Sequence, residues 1–256
     1  MKHPTNKYFF LGGLDLEMYE IENLVLQCGC VCYNASLKWD NAFLSNYSQE
    51  LKRHSEKPGN IIYGVELKED IPVPDNYVKI DHHNEYSNRR SSLEQVAEIL
   101  NVDLTRYQKL VAANDVGYIP AMLNMGATIE EIESIRTADR CAQGVSAEDE
   151  SLAEQAIQEN LTQVKELIVV HAFSSTFSPI CDRLYPYEAL LIYTESEFTY
   201  YGNRVKDLKE MFSAEILQRK IYYGGNDGYC GAASGCYTQE EIINLVTKIK
   251  KLYETI

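Results

Sequence analysis

The sequence predicts an α/β protein with an N-terminal domain built on a parallel sheet, a helical connector and a smaller C-terminal α/β domain. Short runs rich in β-branched and aromatic residues alternate with segments of helical period through the first half of the chain. The middle then reads as helix only, and strand-like runs return after residue 165. The boundaries expected are 1–125, 126–164 and 165–256.

"KYFFLGG" (7–13) is an apolar run closed by two glycines and reads as a buried strand. "LEMYEIENLVLQ" (16–27) carries apolar residues at helical spacing. A strand, a glycine turn and a helix open many nucleotide-handling domains. "GCVCYNA" reads as a second strand, which would put Cys28, Cys30 and Cys32 on one face. "DNAFLSNYSQELKRH" reads as a helix capped by Asp40. "NIIYGVEL" (60–67) and "YVKID" (77–81) are strands. "SSLEQVAEIL" begins with Ser91 and Glu94 placed as a capping box, and "RYQKLVAAND" is a helix expected to end near Asp115 and Gly117. Thr128 with Glu131 opens a further helix that stops at Gly144, and "SAEDESLAEQAIQENLTQV" is another. In the last third, "LIVVHAF", "ALLIYTE", "FTYYG" and "KIYYGG" read as strands. "VKDLKEMFSAEILQR" and "TQEEIINLVTKIKKLYETI" read as helices, the latter capped by Thr238 with Glu241.

With 256 residues the chain buries a substantial core, and its 45% hydrophobic and 24% charged residues are those of a globular protein. No apolar run reaches the length of a membrane span and the N-terminus lacks a secretory pattern, so a cytoplasmic protein without membrane contact is expected. A net charge of −14 disfavours a protein that grips long nucleic acid through its phosphates. It is compatible with a small phosphorylated ligand or short oligonucleotide, because bound divalent cations reverse the local charge. The seven cysteines are read as reduced thiols. "CGCVC" lacks the wider spacing of zinc sites, and burial as small hydrophobes is the reading adopted over a thiol-based metal or redox centre.

The chemistry-bearing residues fall at predicted strand ends. Asp15 and Glu17 follow the first strand, Glu66 ends "IIYGVE", and Asp81, His82 and His83 end "VKID". Asp115 closes a helix before a glycine turn. In a parallel sheet those ends share one edge, and carboxylates gathered there repel each other unless a cation neutralises them. Each has a plain structural alternative, such as a helix-terminal acid, a solvated strand end or a turn cap. The set as a whole, carboxylates with neutral imidazoles, suits manganese, magnesium or iron better than zinc. Arg136 and Arg140, i and i+4 on one helix, are candidate phosphate contacts, with pairing to neighbouring acids as the alternative.

"IDHHN" between a strand and a polar loop resembles the signature of the DHH phosphoesterase superfamily, which includes RecJ-like exonucleases, oligoribonucleases and cyclic-dinucleotide phosphodiesterases. In the order of that family's motifs stand "LDLEM" with Asp15 and Glu17, then Glu66, then Asp81-His82-His83, then Asp115. The glycine run "YYGGNDGYCGAASG", with Gly224, Gly225 and Asn226, resembles the family's C-terminal substrate-binding motif. The resemblance implies a hydrolase acting on phosphoester bonds through metal-activated water. Asp15, Glu17, Glu66, His82 and Asp115 would hold one or two Mn2+ or Mg2+ ions. His83 would touch the phosphate, Asp81 would orient the imidazoles, and Gly224, Gly225 and Asn226 would contact substrate. The chain departs from the family at Leu11, where many members carry histidine, and at Glu17 and Glu66, where aspartate is usual. Only two glycines precede Asn226, where the family pattern has three followed by histidine. A DHH-fold protein that binds nucleotide or phosphate without turnover is therefore the alternative expectation.

Overall fold

The computed structural model describes residues 6–224, 228–232 and 234–254. The chain divides into two compact units between Gly144 and Val145.

The first unit opens with β1 (Asn6–Leu11), whose Phe9, Phe10 and Leu11 are fully buried. Burial of a Phe or Leu side chain contributes about 1.5–3 kcal/mol. The helix α1 (Leu16–Gln27) follows, then β2 (Val31–Asn34), β3 (Asn60–Val65) and β4 (Tyr77–Ile80). These strands form one parallel sheet in the order β2-β1-β3-β4. Their carboxyl ends therefore lie along a common edge. The helix α2 (Ser48–Ser55) precedes β3, and α3 (Ser92–Leu100), α4 (Arg106–Asn124) and α5 (Ile129–Ala142) complete the unit. Ser91, Thr105 and Thr128 each open a helix with a reciprocal capping box, satisfying two orphan donors at each N-terminus.

Several local expectations are corrected. Asp40 caps no helix: it sits inside the 3-10 turn Trp39–Asn41, a second turn covers Leu44–Tyr47, and regular helix begins only at Ser48. The three cysteines neither share a strand face nor are fully buried, Cys28 being exposed and Cys30 and Cys32 half-buried. Cys28 is the C-cap of α1, Gly29 turns with φ +70, and β2 starts at Val31. Helix α4 does not end at Asp115; it breaks at Gly117 and Tyr118 and resumes to Asn124. The segment 126–164, expected to be a helical connector, is split, with α5 in the first unit and α6 (Ala147–Asn160) in the second, and its end, Leu161–Val164, is a strand rather than helix.

The second unit carries a mixed sheet of six strands in the order β5-β6-β7-β8-β10-β9. These are β5 (Leu161–Val164), β6 (Leu167–His171), β7 (Ala189–Tyr193), β8 (Phe198–Gly202), β9 (Ile221–Gly224) and β10 (Tyr229–Ala232). Among these described strands, only β6 and β7 pair in parallel. Helices α7 (Ser178–Leu184), α8 (Val205–Met211), α9 (Ser213–Leu217) and α10 (Gln239–Glu254) accompany the sheet. Tyr200, Phe198, Phe212 and Tyr253 are buried in one core, where the Tyr200 and Tyr253 hydroxyls share a 2.6 Å hydrogen bond. The sequence reading missed β10, because its glycine and alanines read as a loop, and it missed the short helix α7. Of the glycine run singled out there, Gly224 ends β9, while Gly225 and Asn226 lie outside the described residues.

Candidate metal centre

The end of β1 is held against the end of β3. Gly12 N–H donates to the Val65 carbonyl at 2.8 Å, and a Cβ at Gly12 would stand 2.6 Å from the Glu66 carbonyl oxygen. Only a residue without Cβ allows this approach. Gly13 then turns with φ +105, and Asp15 caps α1 by accepting from Met18 N–H at 2.9 Å. That cap fixes the first turn of α1 and places Glu17 in the interior, 1% exposed. Glu17 Oε1 accepts from Leu93 N–H at 3.0 Å, at the start of α3.

Glu66 leaves β3 in the left-handed region, φ +53, a conformation that costs a non-glycine residue about 1–3 kcal/mol and persists where surroundings enforce it. Its N–H donates to the Ile80 carbonyl at 2.8 Å, and its Oε1 accepts from Ser92 Oγ at 2.6 Å. The buried His82 follows β4. Its Nε2 lies 2.6 Å from Asp115 Oδ2, 3.2 Å from Glu66 Oε1 and 3.7 Å from Glu17 Oε2. His83 Nδ1 stands 3.9 Å from Glu66 Oε2 and 3.3 Å from Asp81 Oδ1, and Asp81 Oδ1 also accepts from His83 N–H at 2.9 Å. Donor atoms of Glu66, His82, His83 and Asp115 all fall within 4.8 Å of one another.

The buried atoms Glu17 Oε2, Glu66 Oε2, His82 Nε2, His83 Nδ1 and Asp115 Oδ2 have no hydrogen-bond partner of acceptable geometry. Even the 2.6 Å approach of Asp115 to His82 is not aligned as a hydrogen bond. Five such atoms at one place are costly unless something charged satisfies them together. Without a cation, the protonation states report that strain. Burial and the neighbouring Asp115 carboxylate push Asp15 up to about 7. Burial and Glu17 push Asp115 up to about 6. Burial also drives Glu66 well above its usual value, against the pull of His82. Burial lowers the His82 imidazolium, but the Asp115, Glu17 and Glu66 carboxylates outweigh it and raise it to about 12. For Asp81, burial is outweighed by the His83 imidazole and N–H, and its carboxyl is held below the usual range.

The structure thus brings Glu17, Glu66, His82, His83 and Asp115 together, with Asp15 and Asp81 beside them. Leu11, which stands four positions before Asp15, is fully buried and offers no donor side chain. Arg136 is interior: its Nη1 donates to Asp139 Oδ2 at 2.7 Å and to Asn114 Oδ1 at 3.0 Å, and its guanidinium covers the Tyr118 ring at 4.6 Å. Arg140 is buried as well. Sequence reasoning missed Asp139, a buried acid that accepts from Leu16 N–H (3.2 Å), Asn114 Nδ2 (3.4 Å), Arg136 and Gln143 (3.1 Å). It ties the residue between Asp15 and Glu17 to the residue before Asp115. Ser92 was also missed. Its place beside the Ser91 cap reads as helix initiation, and nothing local reveals that it holds Glu66.

No family model and no curated protein matches the sequence. Solved structures do. A DHH domain described as a member of the s1p family of ribosomal proteins aligns over 98% of this chain and 87% of its own, at 11% identity and a TM-score of 0.55. RecJ from Thermus thermophilus, solved with Mn2+, aligns over 98% of this chain at 12% identity and a TM-score of 0.50. The chain has the DHH-domain fold. It spans 52% of the length of that RecJ chain. The pGpG-specific phosphodiesterase PggH from Vibrio cholerae aligns over 97% of this chain and 99% of its own, at 12% identity and a TM-score of 0.49. The DHH layout accounts for the architecture, with a parallel four-stranded sheet, a helical middle and a mixed six-stranded sheet. Among the described residues, no helix is long and apolar enough to cross a membrane.

Proposed function

We propose that the chain is a divalent-cation-dependent phosphoesterase acting on a small phosphate ester, a short oligonucleotide or a (cyclic) dinucleotide. One observation carries this reading: Glu17, Glu66 and Asp115, from three separate segments, converge on His82 Nε2, and Glu17 Oε2, Glu66 Oε2, Asp115 Oδ2 and His82 Nε2 are buried without hydrogen bonds. The donor set is oxygen with imidazole, without thiolate, which fits Mn2+ or Mg2+. Glu17, Glu66, His82 and Asp115 would hold the ion, and Asp15 stands beside them. When bound, a divalent cation neutralises a phosphoryl group and activates water as the nucleophile. Mn2+ in the Thermus RecJ structure accords with that choice.

The chain's own residues have separable tasks. The Leu93 N–H holds Glu17 Oε1 so that Oε2 faces His82, and Ser92 holds Glu66 Oε1, the oxygen nearest His82, leaving Oε2 without a hydrogen bond. Asp81 holds the backbone and ring of His83, whose partly exposed imidazole is placed to donate to a phosphate oxygen. With Glu17 and Glu66 each one methylene longer than aspartate, ligand reach is set by these hydrogen bonds.

The test is hydrolysis of bis(p-nitrophenyl) phosphate and of a dinucleotide panel by purified protein with Mn2+. Turnover that is lost in His82→Ala and in EDTA supports the enzyme. The donor missing at Leu11 favours a second reading, a nucleotide- or phosphate-binding protein without turnover. Saturable ligand binding with no hydrolysis across the panel would select it.

A further inference from the structure

A cavity of about 530 Å3 lies between α3 and α4, and none of its lining residues belongs to the metal cluster. That volume falls inside the range of small-ligand sites, ~300–1,000 Å3. Its floor is apolar, made by Ala97 of α3, Val102 and Leu104 of the connecting loop, and Ala112, Ala113 and Val116 of α4. Beyond the break in α4, Ala121, Asn124 and Met125 continue the wall. The alanines leave room that longer side chains would fill. Val116 and Met125 stay 54% and 43% exposed, apolar surface that the fold itself does not cover.

Five charged side chains complete the lining, and three of them are already engaged. Arg90 pairs with Glu98 at 3.5 Å, and Glu94 Oε2 accepts from Ser91 N–H at 3.1 Å in the cap of α3. Lys109 and Asp103 are different. Among the described residues neither side chain makes an ion pair or a hydrogen bond, with the other or with any third group. A simple anion drawn to Lys109 would be repelled by Asp103, and a simple cation would meet the reverse. Two uncompensated charges of opposite sign around an apolar floor complement a ligand that carries both signs at one end and an apolar body at the other.

We propose that this cavity is an effector site for an α-amino acid with an apolar side chain, its carboxylate on Lys109, its ammonium on Asp103 and its side chain over the alanine floor. Both walls lead to the metal centre. Ser92 Oγ and Leu93 N–H, at the head of α3, hold Glu66 and Glu17, and in α4 Asp115 stands one residue before the lining Val116. A ligand in the cavity touches α4 on both sides of Gly117 and Tyr118, where Tyr118 takes φ +56. It fixes α3 against both halves of α4 and thereby tightens the centre for its cation. Regulation rests on the phosphoesterase reading above; amino-acid binding does not.

Calorimetry in EDTA tests the cavity without any metal. L-Phenylalanine binds saturably, whereas 3-phenylpropionate lacks the ammonium and phenethylamine lacks the carboxylate. Each of these binds about 3- to 10-fold more weakly, an effect between an exposed ion pair and a buried charged hydrogen bond. Lys109→Ala lowers L-phenylalanine to the affinity of phenethylamine, and Asp103→Ala lowers it to that of 3-phenylpropionate. Both side chains are exposed, so neither substitution disturbs the core. Saturating L-phenylalanine raises the Mn2+ affinity of the wild type about 5-fold or more, and Mn2+ tightens L-phenylalanine by the same factor. Absence of saturable L-phenylalanine binding, equal affinity for the three compounds, or unchanged discrimination in both variants overturns the site. Mn2+ affinity that L-phenylalanine leaves unchanged overturns its role as an effector. Protein that hydrolyses bis(p-nitrophenyl) phosphate with Mn2+ but ignores L-phenylalanine keeps the phosphoesterase reading and loses the site. Protein that binds L-phenylalanine but no Mn2+ keeps the site and overturns that reading, with the regulation that rests on it.

Discussion

His82 Nε2 is the atom on which the site turns, since Glu17, Glu66 and Asp115 each place an oxygen within 3.7 Å of it. A cation that binds the folded state alone stabilises it by RT ln(1 + [L]/Kd), about 2.7 kcal/mol at a hundredfold excess over Kd. Saturating Mn2+ is expected to raise the wild-type Tm by several degrees and to leave His82→Ala within a degree of its metal-free value, as read by calorimetry. An equal shift in both would remove His82 from the ligand set. Cys32 is a contrasting case. Burial, with a smaller contribution from Glu22, pushes its thiol up to about 12, so at pH 8 roughly one molecule in ten thousand carries the reactive thiolate. Iodoacetamide at pH 8 should therefore label exposed Cys28 well before Cys32, as peptide mapping would show. Rapid labelling at Cys32 would reopen the thiol-centred reading of "CGCVC".

At the scale of elements, the site depends on how α1, α4 and α5 are joined. Asp139 of α5 accepts from Leu16 at the head of α1, from Asn114 of α4 and from Arg136 beneath the Tyr118 break. Removing one partner of a buried ion pair leaves the other charge uncompensated and costs about 3–5 kcal/mol. Asp139→Ala is expected to lose stability in that range by urea denaturation. A loss below about 1 kcal/mol would mean that the network is not what holds Glu17 and Asp115 in register. Strand and helix identities in this unit were legible because period-2 and period-3.6 patterns and capping boxes are local signals. The break in α4 was not. "VGYIP" reads as a stop, yet Ile119 and Met122 are buried beyond it, and that packing carries the chain back into helix.

Across the whole molecule, the formal charge of −14 opposes a polyanion, whereas a cation in the cluster reverses that sign only locally. A single-stranded oligonucleotide of about 30 residues should show no retention in filter binding in EDTA at about 0.15 M salt, a range where specific gripping of phosphates survives. Micromolar binding without metal would require a basic track that the composition does not lead one to expect.

The sequence by itself singled out Asp15, Glu17, Glu66, Asp81, His82, His83 and Asp115 and their order, most of them at strand ends and a helix start that local periodicity marks, whereas Asp115 lies inside α4. It also determined that the first sheet is parallel, through the alternation of strands with helices. What the tertiary structure decided is which of those atoms face one another, that Arg136 belongs to an interior network with Asp139, and that Trp39 meets the His83 ring at the rim of the site. Those placements arise from contacts between segments tens of residues apart: Gly13 under Trp39, Ser92 on Glu66, Leu93 on Glu17. Such contacts are energies of packing and charge that no short window of sequence contains.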